Sequence, residues 1–343
     1  MNTTAVPPKS YCNCLALEKG LDPVGHADSF EDAILIETPL PWKRDMTQTA
    51  GALPQPIIDL LALWLKAYYA GEGYPHRLLS IAPDPLYSRE NYRRVMHYTR
   101  PTGAFSQFNK VEYHVPVDEL GTLAWALYQD RTALPRFEAY RIANADTTRD
   151  ILVCTHGSVD AACAKFGYPL YKHLRDTYAV DQLRVWRVSH FGGHVFAPTF
   201  MEMPSGHFWA YVENAQAAQI IRREGDVAAL RRHYRGWAGL RDGFQQAAEC
   251  ALWQRHGWAW FDTPKRGITR IQEEQANDPT WAEVQIAYTS PGDSSELSAE
   301  LRVEVSHTIE TLTTTGEDHT YAYPQYRVTR METASGDAAR SSE

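Results

Sequence analysis

The sequence lacks an excess of positive charge, long apolar runs and any abundance of cysteine. Lysine and arginine number 34 against 42 aspartates and glutamates, a net charge of -8. That balance removes the electrostatic footprint needed for a nucleic-acid backbone or an anionic membrane surface. The longest strongly apolar run, IIDLLALWL at 57–65, falls well short of the roughly 20 residues of a transmembrane helix. The opening MNTTAVPPKSYCNCLALEKG has no apolar stretch of the signal-peptide kind, so the protein is expected in the cytoplasm with no membrane contact. Five cysteines without a secretory signal make a disulfide framework a poor explanation. Thiolate chemistry or metal binding explains them better. No paired-carboxylate motif for glycoside hydrolysis is identifiable.

What is present is a rich apolar inventory: 44% hydrophobic residues, with 10 Trp, 19 Tyr and 11 Phe. A chain of 343 residues with that content suits two or three folded units. AILIET at 33–38 reads as a buried strand, and PQPIIDLLALWLKAYYAGEG has helical periodicity, with proline near its start and glycine past its end. HRLLSIAPD, YRRVMHYTRP and KVEYHVPV read as strands and DELGTLAWALYQ as a helix. The same order then recurs. DILVCTHG at 150–157 reads as a strand, VDAACAKFGYPLYKHLRDTYA as a helix, QLRVWRVSH, APTFMEMP and HFWAYV as strands, and AQAAQIIRREG as a helix. AILIETPLPW and DILVCTHGSV even begin alike, which points to two tandem α/β units of one architecture. Downstream, 227–258 reads as helical, with RRHYR at 231–235 as a solvated helix face or a patch for an acidic partner, and segments near 281–290, 298–314 and 320–331 alternate like strands.

Two pairs of residues carry the chemistry. Cys154 closes a predicted strand and Cys163 falls in the first turns of the next helix, so a strand-loop-helix can place both sulfurs together, near a helix N-terminus that favours thiolate. His190 and His194 flank the run HFGGH, where Gly192 and Gly193 permit the positive φ of a tight turn. Two thiolates with two imidazoles suit tetrahedral zinc or a two-iron cluster. The eight residues between the cysteines exceed the spacing of a zinc finger. His156 and Asp160 lie between the cysteines as candidates to orient the ligands, with Asp160 and Ser158 equally suited to cap the helix. Cys250 reads as a small buried hydrophobe, His207 as a residue hydrogen-bonded near the surface, and Cys12 with Cys14 as a weak candidate for an extra metal or redox pair.

The segments CNCLALEKGLDPVGHA, ILIETPLPW, CTHGSVDAAC, HFGGH, PSGHFWAYV and YRG resemble the sucrase/ferredoxin-like proteins, up to about residue 260. The resemblance implies a thioredoxin-like ferredoxin domain, of mixed α/β (α+β) class, carrying a 2Fe-2S cluster. Cys154 and Cys163 would bind one iron and His190 and His194 the other, with His156, Asp160, Gly192 and Gly193 supporting them. The implied function is electron transfer with a redox partner protein, while the net charge of -8 already argues against a nucleic-acid partner. Neutral imidazoles in place of thiolates would raise the potential above that of an all-cysteine ferredoxin, and their outer nitrogens would permit proton-coupled transfer.

The expected division is a thioredoxin-like α/β unit without ligands over 1–145, a ligand-bearing core over 146–215, a helical continuation over 216–262, a small β extension over 263–331 and a disordered tail over 332–343. Two other functions compete with electron transfer. One is a structural zinc module with the same four ligands. The other is a thiol oxidoreductase or hydrolase with Cys154 as nucleophile and His156 or another histidine as base.

Overall fold

Two apolar runs rich in β-branched residues, Asp32–Glu37 (β1) and Arg149–Cys154 (β5), form the middles of two similar sets of strands. A computed structural model describes residues 11–48, 53–73, 75–272, 278–290 and 295–335. After a short helix at Cys12–Glu18 (α1), β1 leads through helix Gln55–Tyr69 (α2) to the parallel strand His76–Ile81 (β2). The hairpin Tyr92–Thr99 (β3) and Asn109–Pro116 (β4) then pairs antiparallel along the other edge of β1, and helix Leu120–Tyr128 (α3) follows. In α2, Ile57, Leu60 and Trp64 fall on one face and are buried with Leu123, Ala124 and Leu127 of α3, the spacing expected of an amphipathic helix.

The second set repeats this order. β5 leads through helix Tyr168–Tyr178 (α4) to the parallel strand Leu183–Val188 (β6). Strands Phe200–Met203 (β7) and His207–Trp209 (β8) then pair antiparallel on the other side of β5, followed by helix Asn214–Arg222 (α5) and the edge strand Tyr234–Trp237 (β9). The sets join edge to edge in one nine-stranded sheet, in the order β4-β3-β1-β2-β6-β5-β7-β8-β9. Between β2 and β6 the registered pair among the described residues is Ile81 with Val188. The mixed sheet with flanking helices is the expected α+β thioredoxin-like class.

A buried ionic network ties the sets together on one face. Asp150 is fully buried and accepts from Lys110 Nζ (2.5 Å), Arg184 Nε (2.8 Å), Trp186 Nε1 (2.8 Å) and Tyr98 Oη (2.8 Å). Glu112 takes both Nη atoms of Arg184 at 2.8 Å and also pairs with Arg94. Charges removed from water at this depth persist because each is met by several partners.

Helix Gly243–His256 (α6) is buried along most of its length, between the large sheet and a four-stranded antiparallel sheet of Lys265–Gln272 (β10), Trp281–Thr289 (β11), Glu296–Leu312 (β12) and Thr320–Ser335 (β13). Four expectations change here. Residues 227–258 are not one helical run, because Tyr234–Trp237 is a strand that pairs with β8. Gly236 has φ +140°, and a Cβ there would lie 2.7 Å from Gln246 Oε1, so strand pairing and close approach to α6 override the helical pattern. RRHYR is not a solvated face, since Tyr234 and Arg235 are buried. β10 is an additional strand, and β13 runs four residues past 331, while 336–343 lie outside the described residues. His207 is fully buried, stacks on Phe261 at 3.7 Å between centroids, and has no hydrogen-bond partner among the described residues on either ring nitrogen. Burial, followed by the nearby Lys265, holds His207 well below the usual imidazole range.

Candidate metal centre

The loop that leaves β5 is shaped by backbone contacts from both sides. Cys154 N donates to Thr199 O at 3.2 Å and Thr155 N to Val188 O at 3.2 Å, which fixes the strand end between its neighbours. Residues Cys163–Gly167 form a π-helical turn ahead of α4, and Cys163 faces back toward Cys154. Gly167 makes that turn possible, since a Cβ there would lie 2.0 Å from the Cys154 carbonyl oxygen. π-turns are rare and occur often at functional positions. The sequence reading did not single out Gly167.

The structure brings Cys154 Sγ, Cys163 Sγ and one nitrogen of His190 within 4.8 Å of one another. His190 Nδ1 lies 3.8 Å from the first sulfur and 3.9 Å from the second. In this pair the first proton leaves Cys154. A hydrogen bond from Cys163 favours its thiolate and outweighs burial, and His190 beside it adds to the effect. Cys163 is correspondingly held well above the usual thiol range by that bond, by burial and by the Cys154 charge.

His194 stands outside the three-atom group, with its ring stacked on His190 at 5.1 Å and 24°. The turn between them has Gly192 at φ +89° and Gly193 at φ +77°, a region that favours glycine. His194 Nε2 is hydrogen-bonded to the carbonyl of Thr313, at the tip of the β12–β13 hairpin. A carbonyl only accepts, so Nε2 carries the proton and Nδ1 carries the lone pair. That Nδ1 is buried and has no partner among the described residues. Burial keeps His194 toward its neutral form.

The supporting residues divide by task. His156 is buried, donates through Nε2 to Lys43 O at 2.9 Å and accepts at Nδ1 from the His190 backbone N–H at 3.2 Å. Both ring nitrogens are therefore committed, which removes it as a general base for Cys154. Ser158 donates to Trp42 O at 2.8 Å. Asp160 accepts from Ala162 N at 2.7 Å, as a residue leading into a helix does, and also from Thr315 N and Oγ1, both at 2.8 Å. Cys12 N donates to the same Thr315 hydroxyl at 3.2 Å. Cys12 is a buried thiol pushed up to about 12 by burial, and Cys14 is half-buried on the same helix. Neither joins a metal-ligand group among the described residues, and Cys250 is an inert thiol inside α6.

The two sides of the centre differ. Thr313 and Thr315 cover the His194 side, whereas His190 lines a cleft of about 530 Å³ shared with His26, Asp28, Arg77, Gly192 and Arg235. No helix among the described residues is long and apolar enough to cross a membrane.

Neither any curated protein nor any solved structure matches the chain. A family model does match, described as sucrase/ferredoxin-like, over residues 23–236. That span holds both strand sets as far as Gly236 in β9, all four candidate ligands and Arg235, and covers more than half of the 343 residues. The chain therefore belongs to the sucrase/ferredoxin-like family.

Proposed function

We propose that the protein is an electron carrier whose 2Fe-2S cluster is held by Cys154, Cys163, His190 and His194. The observation that carries this reading is the buried Nδ1 of His194, without a partner among the described residues, on a ring stacked against His190 and beside a sharing thiol pair. A buried lone pair without a donor is costly, and a metal ion satisfies it. The donor set fits a two-iron centre, with two thiolates on one side and two neutral imidazoles on the other. Such a centre supplies a one-electron site that changes charge without changing its ligands.

The chain's own residues do the rest. Cys154 already favours the thiolate, and Cys163 would give up its proton to serve as the second thiolate ligand. Thr313 fixes the His194 ring and holds its Nε2 proton, and His156 anchors the His190 backbone. The hairpin keeps water from one side, and the cleft beside His190 leaves the other open to a redox partner protein.

One observation favours a second reading. Cys154, Cys163 and His190 are close enough together to hold a single ion, which suits a structural zinc site. The visible spectrum decides between them, with iron, sulfide and zinc content measured on protein purified without oxygen. About two irons and two sulfides per chain are expected, with bands that move in both His190→Cys and His194→Cys. Colourless protein with one zinc would sink the cluster reading. A colourless, metal-free protein after reconstitution would sink both.

A further inference from the structure

Arg235 is a buried cation that donates to no carboxylate among the described residues. It is 2% exposed, in the centre of β9, and its guanidinium lies over the rings of Phe196 and Phe208 at 5.0 and 5.4 Å. Nη1 donates to Gly192 O at 3.3 Å and to Thr199 Oγ1 at 3.2 Å, and Nη2 donates to His26 O at 2.7 Å. Nε is buried with no partner among the described residues. The acid that acts on it most strongly, Asp28, is taken by Arg77 at 2.5 and 2.7 Å. Burial pushes Arg235 down to about 10, against the opposing pull of Asp28 and of Cys154.

The guanidinium also fits directly beneath the ligand turn. A Cβ on Gly193 would lie 2.4 Å from Arg235 Nη2, so the glycine between the two histidines is matched to this side chain. A desolvated, unpaired guanidinium costs several kcal/mol unless a negative charge stands near it. The bookkeeping of the proposed centre supplies one. Two ferric ions, two sulfides, two thiolates and two neutral imidazoles sum to zero. One electron from a one-electron reductant leaves a single negative charge, with no bond made or broken.

We propose that Arg235 is the counter-charge of the metal centre, a positioning residue that holds the Gly192–Gly193 turn and favours the reduced, anionic state, so that it raises the midpoint potential. This rests on the cluster reading above. Charge near a cluster and hydrogen bonding around it are established controls of its potential.

The test is a redox titration of the full chain with dithionite and mediator dyes at one fixed pH, followed in the visible. Iron and sulfide are assayed alongside for wild type, Arg235→Gln and Arg235→Lys. Arg235→Gln should lower the reduced-to-oxidised ratio at the wild-type midpoint at least tenfold, which is about 59 mV for one electron. Arg235→Lys, which keeps the charge and loses the fork of hydrogen bonds, should restore most of it. A fully loaded Arg235→Gln protein with the wild-type midpoint would overturn the inference while leaving the cluster reading intact. If Arg235→Gln does not load, the lysine variant decides: a wild-type midpoint supports the counter-charge, and a tenfold fall overturns it. Wild-type protein that takes up zinc and no iron overturns both readings together.

Discussion

His194 directs its Nε2 proton at the carbonyl of Thr313, 119 residues further along the chain. A segment outside the family-matched region thus sets the tautomer of a candidate ligand inside it. The hairpin tip is held there by Thr315, whose hydroxyl and backbone N–H both donate to Asp160. Thr315→Ala should lower stability by about 1–3 kcal/mol, because a buried carboxylate loses one of its donors. If the proposed metal centre is loaded, it should also quicken release of that metal to a chelator. Urea unfolding and the chelation rate measure the two effects, and a variant unchanged in both would show that the tip does not hold the site.

Gly167 and Gly192 separate two reasons for glycine. A Cβ at Gly167, which has ordinary helical φ, would meet the Cys154 carbonyl at 2.0 Å. Gly167→Ala must therefore move the π-turn and part the two sulfurs, with an overpacking cost of roughly 1–3 kcal/mol or more. The ultraviolet thiolate absorbance of the metal-free protein at neutral pH should fall. At Gly192 a Cβ meets nothing within 4 Å but φ is +89°. Gly192→Ala should cost only the left-handed strain, about 1–2 kcal/mol, and leave the thiolate signal intact. Equal loss of thiolate in both variants would contradict this distinction.

Asp150 should be the most sensitive acid in the fold. Asp150→Asn leaves Lys110 and Arg184 facing each other across the strand sets with too little negative charge. The expected loss is about 3–5 kcal/mol, the range for breaking a buried ion pair from one side. A denaturation midpoint shifted by less than surface substitutions shift it would refute this weight. In the native chain Arg184 and Lys110 overcome the effect of burial and hold Asp150 well below the usual carboxylate range.

His97 makes stability depend on pH. It is buried on β3, against Tyr128, with Nε2 unpartnered among the described residues. Burial, opposed by Asp32 and joined by Arg131 and His76, lowers it from 6.5 to about 4. The unfolded chain binds this proton below pH 6.5 and the folded chain only near pH 4. The stability contributed by keeping His97 neutral is therefore complete above 6.5 and is lost as pH falls toward 4. The full loss is roughly 3 kcal/mol at about 1.4 kcal/mol per pH unit. His97→Phe should flatten the pH dependence of unfolding between pH 4 and 6.5, and an unchanged slope would assign the acid sensitivity to other groups.

Local pattern made much of this architecture legible. The runs at 33–38 and 150–154, the amphipathic spacing of Ile57, Leu60 and Trp64, and the recurrence of strand-helix-strand-hairpin all follow from side-chain periodicity. Cys154, Cys163 and the HFGGH run were visible because cysteine and histidine with glycine carry chemistry in their types. Contacts made at long range were hidden. Tyr234–Trp237 scans as helix and is a strand because β8 claims it. His207 and Arg235 look like surface polar residues and lie in the core, where aromatic rings enclose them. The second role of Asp160 was equally hidden, because Thr315 lies 155 residues away.

The meeting of Cys12 and Thr315 over Asp160, 303 residues apart in sequence, has a consequence in the order of synthesis. The side chains at 154, 163, 190 and 194 leave the ribosome well before Thr313 and Thr315 exist. Throughout that interval the His194 side of the pocket stands open to solvent. Completion of the β12–β13 hairpin covers that side, whereas the cleft beside His190 stays open, so in the folded chain the approach to these side chains runs through the cleft and not past the hairpin.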